Sequence, residues 1–478
     1  MTRDEKLVLT IAVLASFVAF LDGTVVNVAL PAIVEELGGG IATQQWTVDA
    51  YLITLGSLIL VAGSLSDAFG RLRILRVGLV LFGLSSIAIA AAPDPLFLIV
   101  ARGLQGVAGA LLVPSSLALI TSTFDGKARG RAIGIWTGLT SVAMIIGPLV
   151  GGVFVDLLSW RLAFLINVVP IGVTLALLVM LGRKDETTPR TGIDYLGAVL
   201  CTLGLGGPVF ALIEQPNLGW THPAILLTLG LGILAFAGFL VRQRVAPNPI
   251  LPLRMFASRN FWTGNLATWF IYGALGLSSL AVGVYLQEGA GLTATFAGLA
   301  FLPSTVLMIL FSSRVGALAD RFGARVFMTV GPIVAGLGTL LYLFVRPEPD
   351  FVYWWQALPA VLVFGIGLTL TVSPLTSAIL GAIEPARAGT ASAVNNAVAR
   401  VAGLVLTAMI GIIVGGELDL EGFQRATIVT AALLIAGGVV SFFGIRADPA
   451  QSDDAFASSP RSQRRRPSRP AGHEGVGD

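Results

Sequence analysis

"GSLSDAFGRLR" fills residues 63–73, and "GALADRFGARV" fills residues 316–326. Five positions carry the same residue in both copies: Gly63 and Gly316, Leu65 and Leu318, Asp67 and Asp320, Phe69 and Phe322, Gly70 and Gly323. Each copy is a short polar corner between two long apolar runs. Each follows the second run of its half of the chain. A pattern that returns in this way marks a duplicated unit.

The flanking runs say what kind of unit it is. Of 478 residues, 55% are hydrophobic and 12% charged, and the mean hydropathy is +0.86. A soluble domain carries about 25% charged residues. Apolar runs of about 20 residues recur along the whole chain, which reads as an all-α polytopic membrane protein. Fourteen runs are expected. The first is no cleaved leader, because it is too long, lacks a small-residue cleavage site and contains Asp22.

An even number of spans puts both ends on one side, and the charges test that count. With residues 1–7 on the cytoplasmic side, 25 of the 30 Lys and Arg fall on that side. Three fall opposite: Arg161, Arg346 and Arg425. Only Arg102 and Arg400 lie deep inside a run. The expected organisation is a six-helix bundle over 8–181, two inserted helices over 192–242, a second six-helix bundle over 260–446, and a disordered cytoplasmic tail over 447–478. The tail's "RSQRRRPSR" either touches anionic lipid heads or only adds solubility and positive charge. Duplicated halves around a central site are a common transporter plan.

Other chemistries find little support. The net charge of +3 suggests no nucleic-acid partner, and Cys201, the sole cysteine, can form no intrachain disulfide. No G-x-x-x-x-G-K-[ST] motif, metal-ligand cluster or nucleophile with a base stands out, so no cofactor, metal or enzymatic activity is expected. His222 and His473 both lie outside the middle of any run, which leaves carboxylates for any proton path through the bilayer.

Arg102 lies inside "FLIVARGLQGVAGALLVP" (97–114). A mid-bilayer arginine costs at least ~2.5–3.5 kcal/mol, so it should face the protein interior and a partner. Asp22, the acid of "LDGTVVNVALP" (21–31), is the expected partner. At ~1.5 Å per residue, both fall in the outer half of a ~30 Å core. A purely structural ion pair is the plainer alternative. Gly147, Gly151 and Gly152 in "IIGPLVGG" (145–152) make one helix face thin, and Pro148 bends that helix. Gly63 should let two helices approach, while Asp67 pairs with Arg71 or Arg73 or caps a neighbouring helix. Asp49 is either a second cation-attracting acid or an interfacial residue in contact with water. Trp160 and Arg161 suit an interfacial anchor. Arg400, with no obvious acid nearby, bonds carbonyls, attracts an anionic group or serves packing.

These motifs, in this order and on these spans, resemble the major facilitator superfamily, and within it the fourteen-helix drug:proton antiporter family. The resemblance covers about residues 8–446. It implies a major facilitator fold of two six-helix bundles with two inserted helices. It implies a gating loop at Gly63, Asp67, Gly70 and Arg71, repeated at Gly316, Asp320 and Gly323. It assigns proton coupling to Asp22 and Arg102, with Asp49 as a further candidate, and an antiporter motif to Gly147, Pro148, Gly151 and Gly152. Asn27, Gln105, Trp269, Tyr272, Asn396 and Arg400 are the candidate cavity residues; Phe270 and Phe301 either join them or pack. The expected function is proton-driven export of hydrophobic or cationic small molecules from a bacterial cell through the plasma membrane. The alternative is a proton-coupled importer of a nutrient.

Overall fold

The computed structural model describes residues 1–182, 185, 194–383, 388–416 and 418–446. The tail 447–478 lies outside them, and so do the side chains of Asp67 and Asp320. Among the described residues, fourteen long helical spans follow one another. Spans 1 to 6 are Arg3–Leu37, Gly40–Phe69, Arg71–Ala90, Pro95–Thr123, Gly126–Leu157 and Trp160–Leu181. Spans 7 and 8 are Tyr195–Leu218 and Pro223–Val245. Span 9 is Arg259–Glu288, span 10 joins Ala294–Leu299 to Leu302–Phe322, and span 11 is Ala324–Leu340. Spans 12 to 14 are Leu358–Gly381, Ala388–Ala408 and Leu420–Gly444. Thirteen of them are long and apolar enough to cross a membrane. Span 2, continuous over 30 residues, completes the expected fourteen. The protein is a multi-pass membrane protein.

Local chemistry sets where the helices start and bend. Thr2 and Glu5 form a reciprocal cap at the first helix. Asp94, Asp194, Thr293 and Asp419 each accept a backbone N–H in the first turn of the helix that follows. Span 6 breaks at Ile166–Asn167, between Trp160–Leu165 and Val168–Leu181. Pro170 explains the break, since it cannot donate to the Ile166 carbonyl one turn back. That break frees Asn167 to turn inward.

Spans 1 to 6 pack mainly on one another, with span 4 between spans 1, 2 and 3 and span 5 against span 1. Spans 9 to 14 repeat the plan, with span 9 against 13 and 14 and span 12 between 10 and 11. Each half has its own apolar core. A third core joins them. It runs from Val25, Leu30 and Ile33 of span 1 through Leu277 and Val284 of span 9 to Leu406 of span 13 and Ile410 just after it. All of it lies at the end of the molecule away from the termini.

Spans 7 and 8 form a hairpin set against the seam between span 2 and span 13. Trp46 Nε1 donates to Glu214 Oε1 at 2.7 Å, and Thr202 Oγ1 donates to Ser57 Oγ at 3.0 Å. Ile53, Val209 and Leu404 share one small apolar cluster. The hairpin therefore covers one of the two lateral seams between the halves.

One interfacial expectation is corrected. Trp160 is buried, with Nε1 donating to Glu36 at 2.6 Å, and Arg161 bonds the same carboxylate and the Ala92 carbonyl. A carboxylate from span 1 turns the presumed belt residues into a packed corner.

Candidate functional site: a buried ion pair shared by five spans

Asp22 and Arg102 meet as their depths suggest. Arg102 NH1 donates to Asp22 Oδ2 at 2.7 Å, with the two side chains 1% and 0% exposed respectively. Span 2 approaches span 4 closely enough to take part. Gly106 lies directly against Tyr51 and Thr54, where any side chain would collide with the backbone. Arg102 Nε can thus donate to the Thr47 carbonyl at 2.8 Å, and the Tyr51 ring sits 4.5 Å from the guanidinium.

Neutral polar groups complete the ring. Asp22 Oδ1 accepts from Gln105 Nε2 at 2.9 Å and from Asn167 Nδ2 at 3.0 Å. Gln105 also donates to Ser86 Oγ and accepts from Arg102. Ser86, Gln105 and Asn167 are fully buried. Gln105, expected to line a cavity, is instead part of this network. An amide can turn to present either its donor or its acceptor. The ring can therefore serve both a charged and a neutral Asp22. Neither Ser86 nor Asn167 stood out in the sequence; the one signal for Asn167 was Pro170 three residues on.

The repeated corners come next. Gly70 ends span 2 and starts span 3 at φ +101°, and Gly323 does the same between spans 10 and 11 at φ +85°. Glycine takes this left-handed backbone at little cost. The first turn of span 3 is capped by Asp185, whose carboxylate accepts from the Leu72 and Arg73 N–H groups at 2.8 Å each. Nothing in the residue pattern singles out Asp185. Gly63 does not serve close packing: a Cβ there would meet nothing within 4 Å. Gly316, its repeat, abuts Ser373.

The far end is sealed across the halves. A Cβ on Gly152 would lie 2.5 Å from Thr295 Cα, and Gly298 meets Pro148 in return. Gly147 and Gly151 pack against Thr24 and Val25 of span 1. Asp156 accepts from the Ala294 and Thr295 N–H groups at 2.8 and 2.9 Å. Gln44 donates to Glu288 at 3.0 Å, and Gln45 donates to the Thr407 and Ala408 carbonyls. A cavity lies between span 5 of the first half and spans 10 and 12 of the second.

The remaining candidates divide. Asp49 is fully buried, and neither carboxylate oxygen has a hydrogen-bond partner among the described residues, so the water-exposed alternative is corrected. On the helix it shares a face with Gln45, which reaches span 13, and with Gly56, which lies beside Arg400. Arg400 is half-buried, within electrostatic reach of the Tyr51 and Tyr272 phenols, and has no acid partner among the described residues. Asn27, Trp269 and Tyr272 are half-buried. Asn396 is exposed and bonds only the Ser392 carbonyl of its own helix.

Comparisons with known proteins agree with this architecture. The Major Facilitator Superfamily profile matches residues 12–407. A methylenomycin A resistance protein of Bacillus subtilis is 35% identical over 414 residues, covering 85% of this chain and 87% of its own. A cephamycin export protein of Amycolatopsis lactamdurans is 33% identical, covering 83% and 82% respectively. Among solved structures, a peptide transporter in complex with alafosfalin superimposes with a TM-score of 0.70 at 15% identity, over 91% of this chain and 93% of that one. At that identity the likeness concerns the fold alone.

Proposed function

Because the chain belongs to the Major Facilitator Superfamily, we propose that it is a proton-coupled transporter that exports small amphiphilic compounds across a bacterial plasma membrane by alternating access. Relatives named for antibiotic resistance and export support the direction. The observation that carries the coupling is the fully buried Asp22–Arg102 pair inside a ring of reversible donors and acceptors.

The side holding 25 of the 30 Lys and Arg is the cytoplasm. On that orientation the end sealed across the halves is the outer one, which supports reading the state as inward-facing. Substrate loads from the cytoplasmic opening while Asp22 is ionised and held by Arg102. The inner end closes and the outer end opens. A proton from the acidic outer side neutralises Asp22, Gln105 and Asn167 turn to suit the neutral acid, and the guanidinium is released to favour substrate departure. The return step delivers the proton to the cytoplasm. Asp49, a buried carboxyl with no partner among the described residues, is the second candidate for holding a proton, because an unpaired buried carboxylate is costly.

Everted vesicles with an acidic lumen test this reading. Lipophilic cations, neutral antibiotics and tetracycline-like compounds are added in turn, and lumenal pH is followed with a dye. Compound-triggered proton release that disappears in Asp22→Asn is the expected result. Release that survives in Asp22→Asn but not in Asp49→Asn moves the coupling to Asp49. Silence across the panel from folded protein ends the antiport reading.

A further inference from the structure

The cavity at the cytoplasmic end holds about 380 Å3. Thr137 of span 5 lines one side; Thr305 and Ser312 of span 10 face Ser373, Thr376 and Ser377 of span 12. Hydroxyls in helices commonly bond the carbonyl one turn back. Thr305 and Thr376 do so, to Phe301 and Val372. Ser312, Ser373 and Ser377 have no hydrogen-bond partner among the described residues. Three unspent hydroxyls from two helices therefore face one space. Gly316, the first residue of the repeated corner, makes room for one of them: a Cβ there would lie 2.7 Å from Ser373 Oγ.

Among the described residues this wall carries no charge: none of its described lining residues is ionisable, and spans 9 to 14 carry Asp or Glu only at their ends. A cation buried here would go uncompensated, whereas hydroxyl, ketone and amide groups would find partners. The volume falls within the ~300–1,000 Å3 range of small-molecule sites.

We propose that this cavity is the substrate site of the exporter, and that its substrates are uncharged amphiphiles bearing hydrogen-bonding groups. This deepens the transport reading above and rests on it. The test is equilibrium binding to purified protein in nanodiscs, with no proton gradient, so a failed vesicle assay and a failed pocket remain distinguishable. The probes are chloramphenicol, which is uncharged with two hydroxyls and an amide, and tetraphenylphosphonium, a cation without hydrogen-bonding groups. Wild type should bind chloramphenicol at least tenfold more tightly than the cation. The combined Ser312→Ala, Ser373→Ala, Ser377→Ala variant should weaken chloramphenicol tenfold and leave the cation unchanged. In a Cys201→Ser background, Ser373→Cys should be protected from N-ethylmaleimide by chloramphenicol alone, and this milder change covers the case of a triple variant that does not fold. No chloramphenicol binding, tighter binding of the cation, or a Ser373→Cys that chloramphenicol leaves unprotected would overturn the proposal.

Discussion

Span 5 carries glycines along its whole length, and its two halves use them differently. In the half away from the chain termini, Gly147, Gly151 and Gly152 each lie where a Cβ would collide with a neighbour. In the half nearer the termini, Gly130, Gly134 and Gly138 meet nothing within 4 Å. One helix thus shows both faces of the same device. Small residues let helices close on one another. The set far from the termini is engaged and the set near them is idle, which on the proposed orientation leaves the outer end shut and the inner end open.

The largest expected effect comes from filling one row at a time. Gly152→Val would press against the Thr295 backbone, which cannot give way as a flexible side chain can. Overpacking of this kind costs about 1–3 kcal/mol, enough to shift a two-state balance about tenfold or more toward the outward-open state. Gly138→Val should fold normally, since its new atoms have room in this state, and it should hinder closure of the inner end. Both variants should lose most export. They should differ in labelling of a Thr137→Cys reporter by a membrane-impermeant maleimide applied from the cytoplasmic side, which falls with the first and persists with the second. Identical labelling in both would show that the two rows do not report opposite states.

A smaller effect tests the polar part of the outer seal. Asp156→Ala removes the carboxylate that accepts from Ala294 and Thr295 across the halves. Asp156 is exposed, so the loss should be about 0.5–1 kcal/mol, or roughly two- to fivefold in outer-end opening. Labelling of a cysteine at Thr295 from the outside should rise by that factor. No rise would assign the seal wholly to the glycine contacts and the shared apolar core.

Much of this was legible in the sequence, for physical reasons that also mark its limits. Bilayer thickness fixes span length, and the charge bias fixes alternation, so fourteen spans and the pairing of their ends could be read from composition alone. Asp22 and Arg102 could be matched because a charge in an apolar run needs a partner at its own depth. Ser86, Gln105 and Asn167 could not be assigned to that pair, because amides and hydroxyls are inexpensive in a helix and carry no such demand. Trp160 was misread for a related reason. An aromatic at the edge of an apolar run looks the same whether lipid or another helix faces it, and only Glu36 decides. Asp185 lies in a polar stretch where acids are common, and its role exists only because the chain brings it beside Gly70.

The smallest effect concerns a region engaged at neither end. Asp194 precedes span 7, and its carboxylate is buried. It accepts from the Gly197 N–H at 3.0 Å, from Arg242 Nε at 3.0 Å and from Gln243 Nε2 at 3.1 Å. Gln243 in turn accepts from the Leu251 N–H, which ties both inserted helices to the linker beyond them. Burial pulls the pKa of Asp194 upward, but the bonds from Gly197, Arg242 and Gln243 and the charge of Arg242 together outweigh it and hold it below the ordinary value. The folded protein therefore binds this proton less readily than the unfolded chain. The stabilisation is fully present above the unfolded value, near about 3.9, and is lost as pH falls through the folded value. Asp194→Asn should melt slightly below wild type at neutral pH, by about 1 kcal/mol of capping energy, and the gap should narrow as pH approaches 3. Export and Thr137→Cys labelling should not change, because Asp194 lies at the end of the hairpin opposite Glu214, the residue that bonds Trp46 beside the seal. Altered labelling in Asp194→Asn would make the inserted hairpin part of the switch between the two glycine rows.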